Sequence, residues 1–329
     1  MRHHWQSMTR ILVAQVLALA GLLPMVGEAQ IARLELHAVQ TFTLSDQEML
    51  SSPNSGKTVF VSGELRIPSG AAGRLPAVVL LHGSGGASAR EDGWARALNA
   101  VGMATFILDS FTGRGLVSTS NDQAQLGRLA TINDAYGAIE VLAKHPRIDG
   151  QRIALMGFSR GGQAALYAAM NRLWVAHAPA GGARFAAYVA LYPDCSTNYV
   201  DDISVQARPI RVFHGAVDDY NPALPCRAYI ERLRRAGKDA SITEYAEAHH
   251  VFDNPDINET VKLPQAQTTR RCRIEETEGG MIINSATKQA FTYADPCVER
   301  GTTIAYHPAA HAESVRAITG FLTTVFQTK

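Results

Sequence analysis

The sequence predicts an α/β fold, a doubly wound and mainly parallel β-sheet with helices on both faces, and three observations carry that expectation. Short apolar runs rich in β-branched residues alternate with longer stretches of helical periodicity, the order that threads a parallel sheet through crossover helices. Gly, Pro and Ser clusters punctuate these runs instead of forming one long linker, and no internal repeat or low-complexity tract interrupts them. The 329 residues are 46% hydrophobic and 19% charged, an ordinary globular composition with ample chain for one large core.

In chain order, the first segment reads as a leader. Met1 to Arg10 is polar and carries Arg2 and Arg10. Ile11 to Val26 is apolar apart from Gln15 and Pro24, and Gly27-Glu28-Ala29 before Gln30 suits cleavage after small residues. Met8 is an alternative start that keeps Arg10 as the charged flank. The apolar stretch is shorter than the roughly 20 residues needed to span a bilayer. Residues 1–29 are therefore expected to be a signal peptide, leaving residues 30–329 as a single domain, secreted or periplasmic, with no stable membrane anchor after cleavage.

The body then predicts strands over Thr58–Ile67, Ala77–Leu81 and Ala104–Asp109, a helix over Asp122–Lys144, and a strand over Ile153–Met156 leading into a helix over Gly161–Ala169. Strands at Tyr188–Leu191 and Ile210–Phe213 follow, then a helix over Leu224–Ala236, a strand at Ser241–Tyr245 and a final helix over Ala309–Gln327. Ile318, Leu322 and Val325 form a core stripe on that last helix, and Arg232, Arg234 and Arg235 read as the solvated face of theirs. Met281-Ile-Ile and Ala290-Phe-Thr-Tyr predict a C-terminal hairpin insertion.

Chemistry concentrates at the carboxyl ends of these strands. Gly157-Phe158-Ser159-Arg160-Gly161 joins an apolar strand to a helix, and a serine held on so tight a turn projects its hydroxyl clear of the backbone. Ser159 is the candidate nucleophile. The strand Ile210–His214 ends in Gly215-Ala-Val-Asp218-Asp219, where Asp218 is the candidate acid, with Asp109 a weaker alternative because it lacks that turn. His249 and His250 follow about thirty residues later, and one of them is expected to be the general base. The order Ser, Asp, His is that of α/β-hydrolases, not of chymotrypsin-like or subtilisin-like proteases. A neutral imidazole would accept the Ser159 proton during attack on a carbonyl, while the carboxylate fixes its tautomer. The oxyanion is expected to meet the backbone N–H of Arg160 and one from His82-Gly83-Ser84-Gly85-Gly86, with Ser84 the preferred second donor. Arg114 and Arg160 are candidates for gripping a substrate carboxylate.

Leu-Leu-His82-Gly-Ser-Gly-Gly, Asp109-Ser-Phe-Thr-Gly-Arg114-Gly, Gly157-Phe-Ser159-Arg-Gly-Gly, His214-Gly-Ala-Val-Asp218 and Ala248-His-His250-Val-Phe together resemble the dienelactone hydrolase family of α/β-hydrolases, over roughly Thr58 to Phe326. The resemblance implies that Asp218 is the acid, three residues after the turn glycine, and that His250 is the base, ahead of a small residue and Phe252. The enzyme that names the family uses a cysteine where this chain has Ser159, and the His82-Gly-x-Gly-Gly loop is of the type found in esterases. A serine member of such a family implies hydrolysis of small or medium carboxylic esters without a cofactor. A lactonase or a peptidase is the nearest enzymatic alternative, and a non-catalytic binding protein of the same fold the alternative from another class.

Four cysteines permit three pairings. Cys195 and Cys226 follow neighbouring strands, and Cys272 and Cys297 bracket the insertion, so Cys195–Cys226 and Cys272–Cys297 are the expected disulfides. No C-x-x-C spacing marks a zinc site, and His249 beside His250 projects differently, so no metal is expected. A formal net charge of +1 gives no footprint for nucleic acid, and the expected partner is a small ester.

Overall fold

A computed structural model describes residues 31–51, 56–70 and 72–327; the expected signal peptide lies outside these residues. The strands are β1 (Ile31–Thr43), β2 (Lys57–Pro68), β3 (Leu75–Leu81), β4 (Ala104–Asp109), β5 (Ile148–Phe158), β6 (Tyr188–Leu191), β7 (Thr197–Asn198), β8 (Ile210–Gly215), β9 (Ala240–Tyr245), β10 (Val261–Thr268), β11 (Ile274–Glu276), β12 (Ile282–Asn284), β13 (Gln289–Ala290) and β14 (Glu299–Ile304). The helices are α1 (Asp46–Ser51), α2 (Ala89–Ala100), α3 (Ala130–Lys144), α4 (Arg160–Tyr167), α5 (Asn171–His177), α6 (Ala223–Arg235) and α7 (Pro308–Gln327).

Eight strands form the central sheet in the order β1-β2-β4-β3-β5-β6-β8-β9. Both pairings of β2 are antiparallel, and every pairing from β4 to β9 is parallel. Alternation of side chains along each strand divides the core into two layers. Ala77, Val79, Leu81, Phe106, Leu155, Ala190 and Val212 pack with α3, α4 and α6 on one face. Val78, Leu80, Ala154, Met156, Val189 and Phe213 pack with Trp94 and Leu98 of α2 and with Ile318 and Leu322 of α7 on the other. A strand buried on both faces reads as one apolar run, which is why β3, β5 and β8 stand out in the sequence.

Four features depart from the sequence expectation. The helix expected over Asp122–Lys144 begins only at Ala130, because Gln123–Gln125 is a short 3-10 turn and the Leu126 and Gly127 carbonyls are taken by Arg160 at 3.1 Å each. Arg232 is not simply solvated: its guanidinium meets both carboxylate oxygens of buried Asp202, at 2.7 and 2.6 Å. β1, α1, α2 and α5 are additions. The insertion is more than a hairpin, since β12 pairs with both β13 and β11, β11 runs parallel to β7, and β10 pairs with β14. Both expected disulfides, Cys195–Cys226 and Cys272–Cys297, are present. Among the described residues no helix is long and apolar enough to cross a membrane.

Candidate active site

The turn between β5 and α4 is built on close backbone approach. A Cβ on Gly157 would lie 2.0 Å from the Gly161 carbonyl oxygen, and one on Gly161 would lie 2.2 Å from that of Leu81, so both positions exclude a side chain. Between them Ser159 adopts φ 53°, ψ −115°, a conformation rare for any residue with a side chain. The strain is held by the sheet: the Ser159 N–H donates to the Leu191 carbonyl at 2.9 Å, and the Gln163 N–H returns to the Ser159 carbonyl at 2.8 Å. The hydroxyl is thereby raised at the carboxyl edge of the sheet.

The acid and base arrive on adjoining loops. After β8, the Ala216 N–H donates to Tyr245 and the Val217 N–H to Ala248, which ties the Asp218 loop to the loop following β9. Asp218 Oδ1 accepts the Tyr220 and Asn221 N–H groups, each at 2.9 Å, leaving Oδ2 for His250 Nδ1 at 2.7 Å. His250 Nε2 lies 2.9 Å from Ser159 Oγ. Asp218 at 5% exposure and His250 at 1% are shielded from competing water. The imidazole is packed between Tyr192 and Tyr220, each with its ring centroid 4.7 Å away, and the Tyr192 hydroxyl donates to buried Asp253 at 2.6 Å. The insertion completes the support, because the Ala305 N–H donates to the His250 carbonyl and Thr303 donates twice to Asp219. The structure thus brings Ser159, Asp218 and His250 together, while His249 lies outside the relay.

The loop after β3 faces the same serine. Arg160 opens α4, so its N–H has no partner within the helix, and Ser84 borders the cavity in front of Ser159. His82 shapes this loop. Its Nδ1–H donates to the Gly83 carbonyl at 2.7 Å and its Nε2 accepts the Ser110 N–H at 3.1 Å, which fixes one neutral tautomer. Burial pushes its pKa down, opposed by the bond to Gly83.

The arginines behave otherwise than expected. Arg114 does not face substrate: its guanidinium meets both Asp134 oxygens at 2.8 Å and donates to the Ser110 and Phe42 carbonyls and to Thr43. That buried ion pair ties β1 to α3. The Arg160 guanidinium cannot grip a carboxylate with its terminal nitrogens either, since these donate to Gln123, Leu126 and Gly127. Asp109 accepts the Phe111 and Thr112 N–H groups and serves as a turn cap, away from His250. Sequence reasoning missed Tyr192, Tyr220, Gln123, Gln163, Gln267 and Tyr293, all beside the triad or in the cavity. They lie on segments far apart in the chain and belong to no motif.

Sheet order, strained serine turn and relay together define a hydrolase of the α/β-hydrolase fold. A family model for the dienelactone hydrolase family matches residues 61–326, and the chain belongs to that family. Among solved structures, a dienelactone hydrolase-like promiscuous phosphotriesterase from metagenomic libraries is similar at 19% identity and TM-score 0.56, covering 89% of this chain and 98% of that one. A putative dienelactone hydrolase from Klebsiella pneumoniae subsp. pneumoniae is similar at 16% identity and TM-score 0.55, covering 88% and 99%. Esterase 2 of Thermogutta terrifontis is similar at 18% identity and TM-score 0.50, covering 68% and 87%. No curated protein sequence matches the chain.

Proposed function

We propose that this chain is an exported serine hydrolase that cleaves carboxylic esters through an acyl-enzyme. The observation that carries the reading is the continuous relay from Asp218 Oδ2 through His250 to Ser159 Oγ, at 2.7 and 2.9 Å. Those are hydrogen-bonding distances for a general base and its nucleophile.

In this mechanism Ser159 attacks the ester carbonyl as its proton passes to His250 Nε2. The tetrahedral oxyanion is held by the Arg160 and Ser84 N–H groups, and His250 then protonates the departing alcohol as the acyl-enzyme forms. Water, deprotonated by the same imidazole, attacks the acyl-enzyme and releases the acid and Ser159. Asp218 holds the Nδ1–H tautomer throughout. Export is supported by the leader-like composition of residues 1–29 and by the two disulfides, which persist in oxidising compartments.

Intact-mass spectrometry after treatment with a fluorophosphonate, run beside p-nitrophenyl acetate turnover, tests the mechanism. One adduct with turnover, both lost in Ser159→Ala, is expected. A folded protein that takes no adduct and turns over no ester refutes it.

A further inference from the structure

The loop that carries His250 is held in a strained shape, and, resting on the serine-esterase reading above, we infer that Asp253 and Tyr192 are the residues that hold it and so position the base. Val251, immediately after His250, has φ 62°, and Glu247, ahead of it, has φ 59°. A β-branched residue at such an angle is an outlier, and it persists only where surrounding contacts over-determine it. On one side of the strain the His250 carbonyl accepts the Ala305 N–H at 3.2 Å. On the other, three residues after the base, stands Asp253, only 1% exposed.

Both oxygens of Asp253 are engaged. Oδ1 accepts the Tyr192 hydroxyl and Oδ2 accepts the Trp94 indole N–H, each at 2.6 Å. Trp94 belongs to α2 and Tyr192 directly follows β6, so the end of the His250 loop is tied to two elements of the core. A buried polar network with every member satisfied fixes one geometry. The network continues to the nucleophile turn: Arg90 Nη1 donates to the Tyr192 hydroxyl at 3.3 Å, and its guanidinium lies 4.6 Å from the ring centroid of Phe158, the residue before Ser159.

Tyr192 bears on the base and on the acid at once. Its ring packs against the imidazole at 4.7 Å and against Phe252 at 5.5 Å. Its carbonyl accepts Asn221 Nδ2 at 3.1 Å, and the Asn221 N–H is one of the two donors on Asp218 Oδ1. Its own backbone is left-handed, at φ 38°, with the N–H bonded to the Phe213 carbonyl at 2.7 Å. With Asp253 released, Val251 can relax and carry the imidazole away from its 2.9 Å contact with Ser159 Oγ. A misplacement of about 1 Å at such a contact can cost roughly a hundredfold in rate. Asp253 and Tyr192 touch no reacting atom of the ester and act through His250, as positioning residues.

The test compares Tyr192→Phe, which keeps the ring and removes only the hydroxyl, with Asp253→Leu, which removes both acceptors at similar volume, and with the double variant, each beside its melting temperature. In each single variant kcat on p-nitrophenyl acetate should fall by between about tenfold and a hundredfold while KM stays within about twofold of wild type, the split expected of groups that serve the chemical step alone. The double variant should fall no further than the worse single one, because both changes release the same contact. Proton NMR reads the geometry without turnover: the His250 Nδ1–H, bonded to Asp218 at 2.7 Å, resonates downfield of the backbone amides, and its signal should broaden or vanish in Tyr192→Phe. A kcat within about twofold of wild type in folded Tyr192→Phe, or single effects that multiply in the double variant, overturns the inference. An unchanged His250 resonance in Tyr192→Phe does the same. A wild-type protein that neither turns over ester nor takes the fluorophosphonate overturns the serine-esterase reading instead, and the NMR comparison still decides whether Tyr192 positions the imidazole.

Discussion

Replacing Asp218 with asparagine probes the relay at its buried end, and the outcome can be worked from the hydrogen bonds. Oδ1 of Asp218 accepts two backbone N–H groups at 2.9 Å each, so in Asp218→Asn the amide oxygen must occupy that position. The NH2 group is then placed where Oδ2 accepted the His250 Nδ1–H at 2.7 Å. Two donors cannot face each other, and the imidazole is driven to the tautomer protonated at Nε2. That nitrogen can no longer take the Ser159 proton. Loss of the correct tautomer in a serine triad lowers kcat by roughly 10⁴-fold, equivalent to about 5.4 kcal/mol of barrier. The volume change is negligible, so the melting temperature should hardly move. Steady-state kcat/KM on p-nitrophenyl acetate, read beside thermal unfolding, is the assay. Asp219→Asn serves as the comparison, because Asp219 bonds Thr303 and not the imidazole. If Asp218→Asn retains activity within tenfold of wild type at an unchanged melting temperature, the tautomer argument is wrong and Asp218 is not the orienting acid.

Three further outcomes follow from the same geometry. Arg114→Met strands the fully buried Asp134 carboxylate and should cost about 3–5 kcal/mol in denaturant unfolding while leaving KM unchanged; a raised KM would instead restore a substrate role for Arg114. Serine at both Cys272 and Cys297, which are 25 residues apart, should destabilise the chain by roughly 3 kcal/mol on loop-closure grounds and admit proteases between them, whereas an unaltered unfolding midpoint would contradict this. Burial lowers the His82 pKa from its ordinary 6.5, so the unfolded chain binds more protons there than the folded one, and stability should fall as the pH drops below about 6.5. Melting temperatures from pH 7.5 to 5.5 should decline less steeply in His82→Gln, and parallel curves would remove His82 as a contributor.

How much could be read from the sequence follows the burial of each element. β3, β5 and β8 lie inside a parallel sheet and are apolar on both faces, so their runs, and the Ser159 and Asp218 turns that end them, are plain in the sequence. The helix α2 is obscured because polar Arg90, Glu91 and Asn99 are themselves buried. Its available signal is the capping box of Ser88 and Glu91, whose carboxylate accepts from the Ser88 N–H and hydroxyl at 2.8 Å each. The pairing of β7 with β11 joins Thr197 to Ile274, a register set by tertiary contact and by no local pattern. The same holds for the cavity in front of Ser159, where Gln123, Gln163, Gln267 and Tyr293 come from four separate stretches of chain. Arg114 and Arg232 show the converse error: an arginine read as functional or solvated is claimed by a buried carboxylate that the sequence places 20 and 30 residues away.

The segment from β10 to β14 leaves and re-enters the body beside the Asp218 and His250 loops, carries Gln267, Thr268, Thr269 and Tyr293 to the cavity in front of Ser159, and is cross-linked within itself by Cys272–Cys297. The Ser159, Asp218 and His250 turns and part of the cavity wall are thereby supplied by different lengths of chain. Ser159, Asp218 and His250 sit on turns at the edge of the central sheet, while part of the wall of the cavity in front of Ser159 is delivered by a separate cassette. Exchanging that cassette for another of matching ends offers a way to retune selectivity in one step, with its return point at Thr303 and Ala305 kept intact because those residues anchor Asp219 and His250.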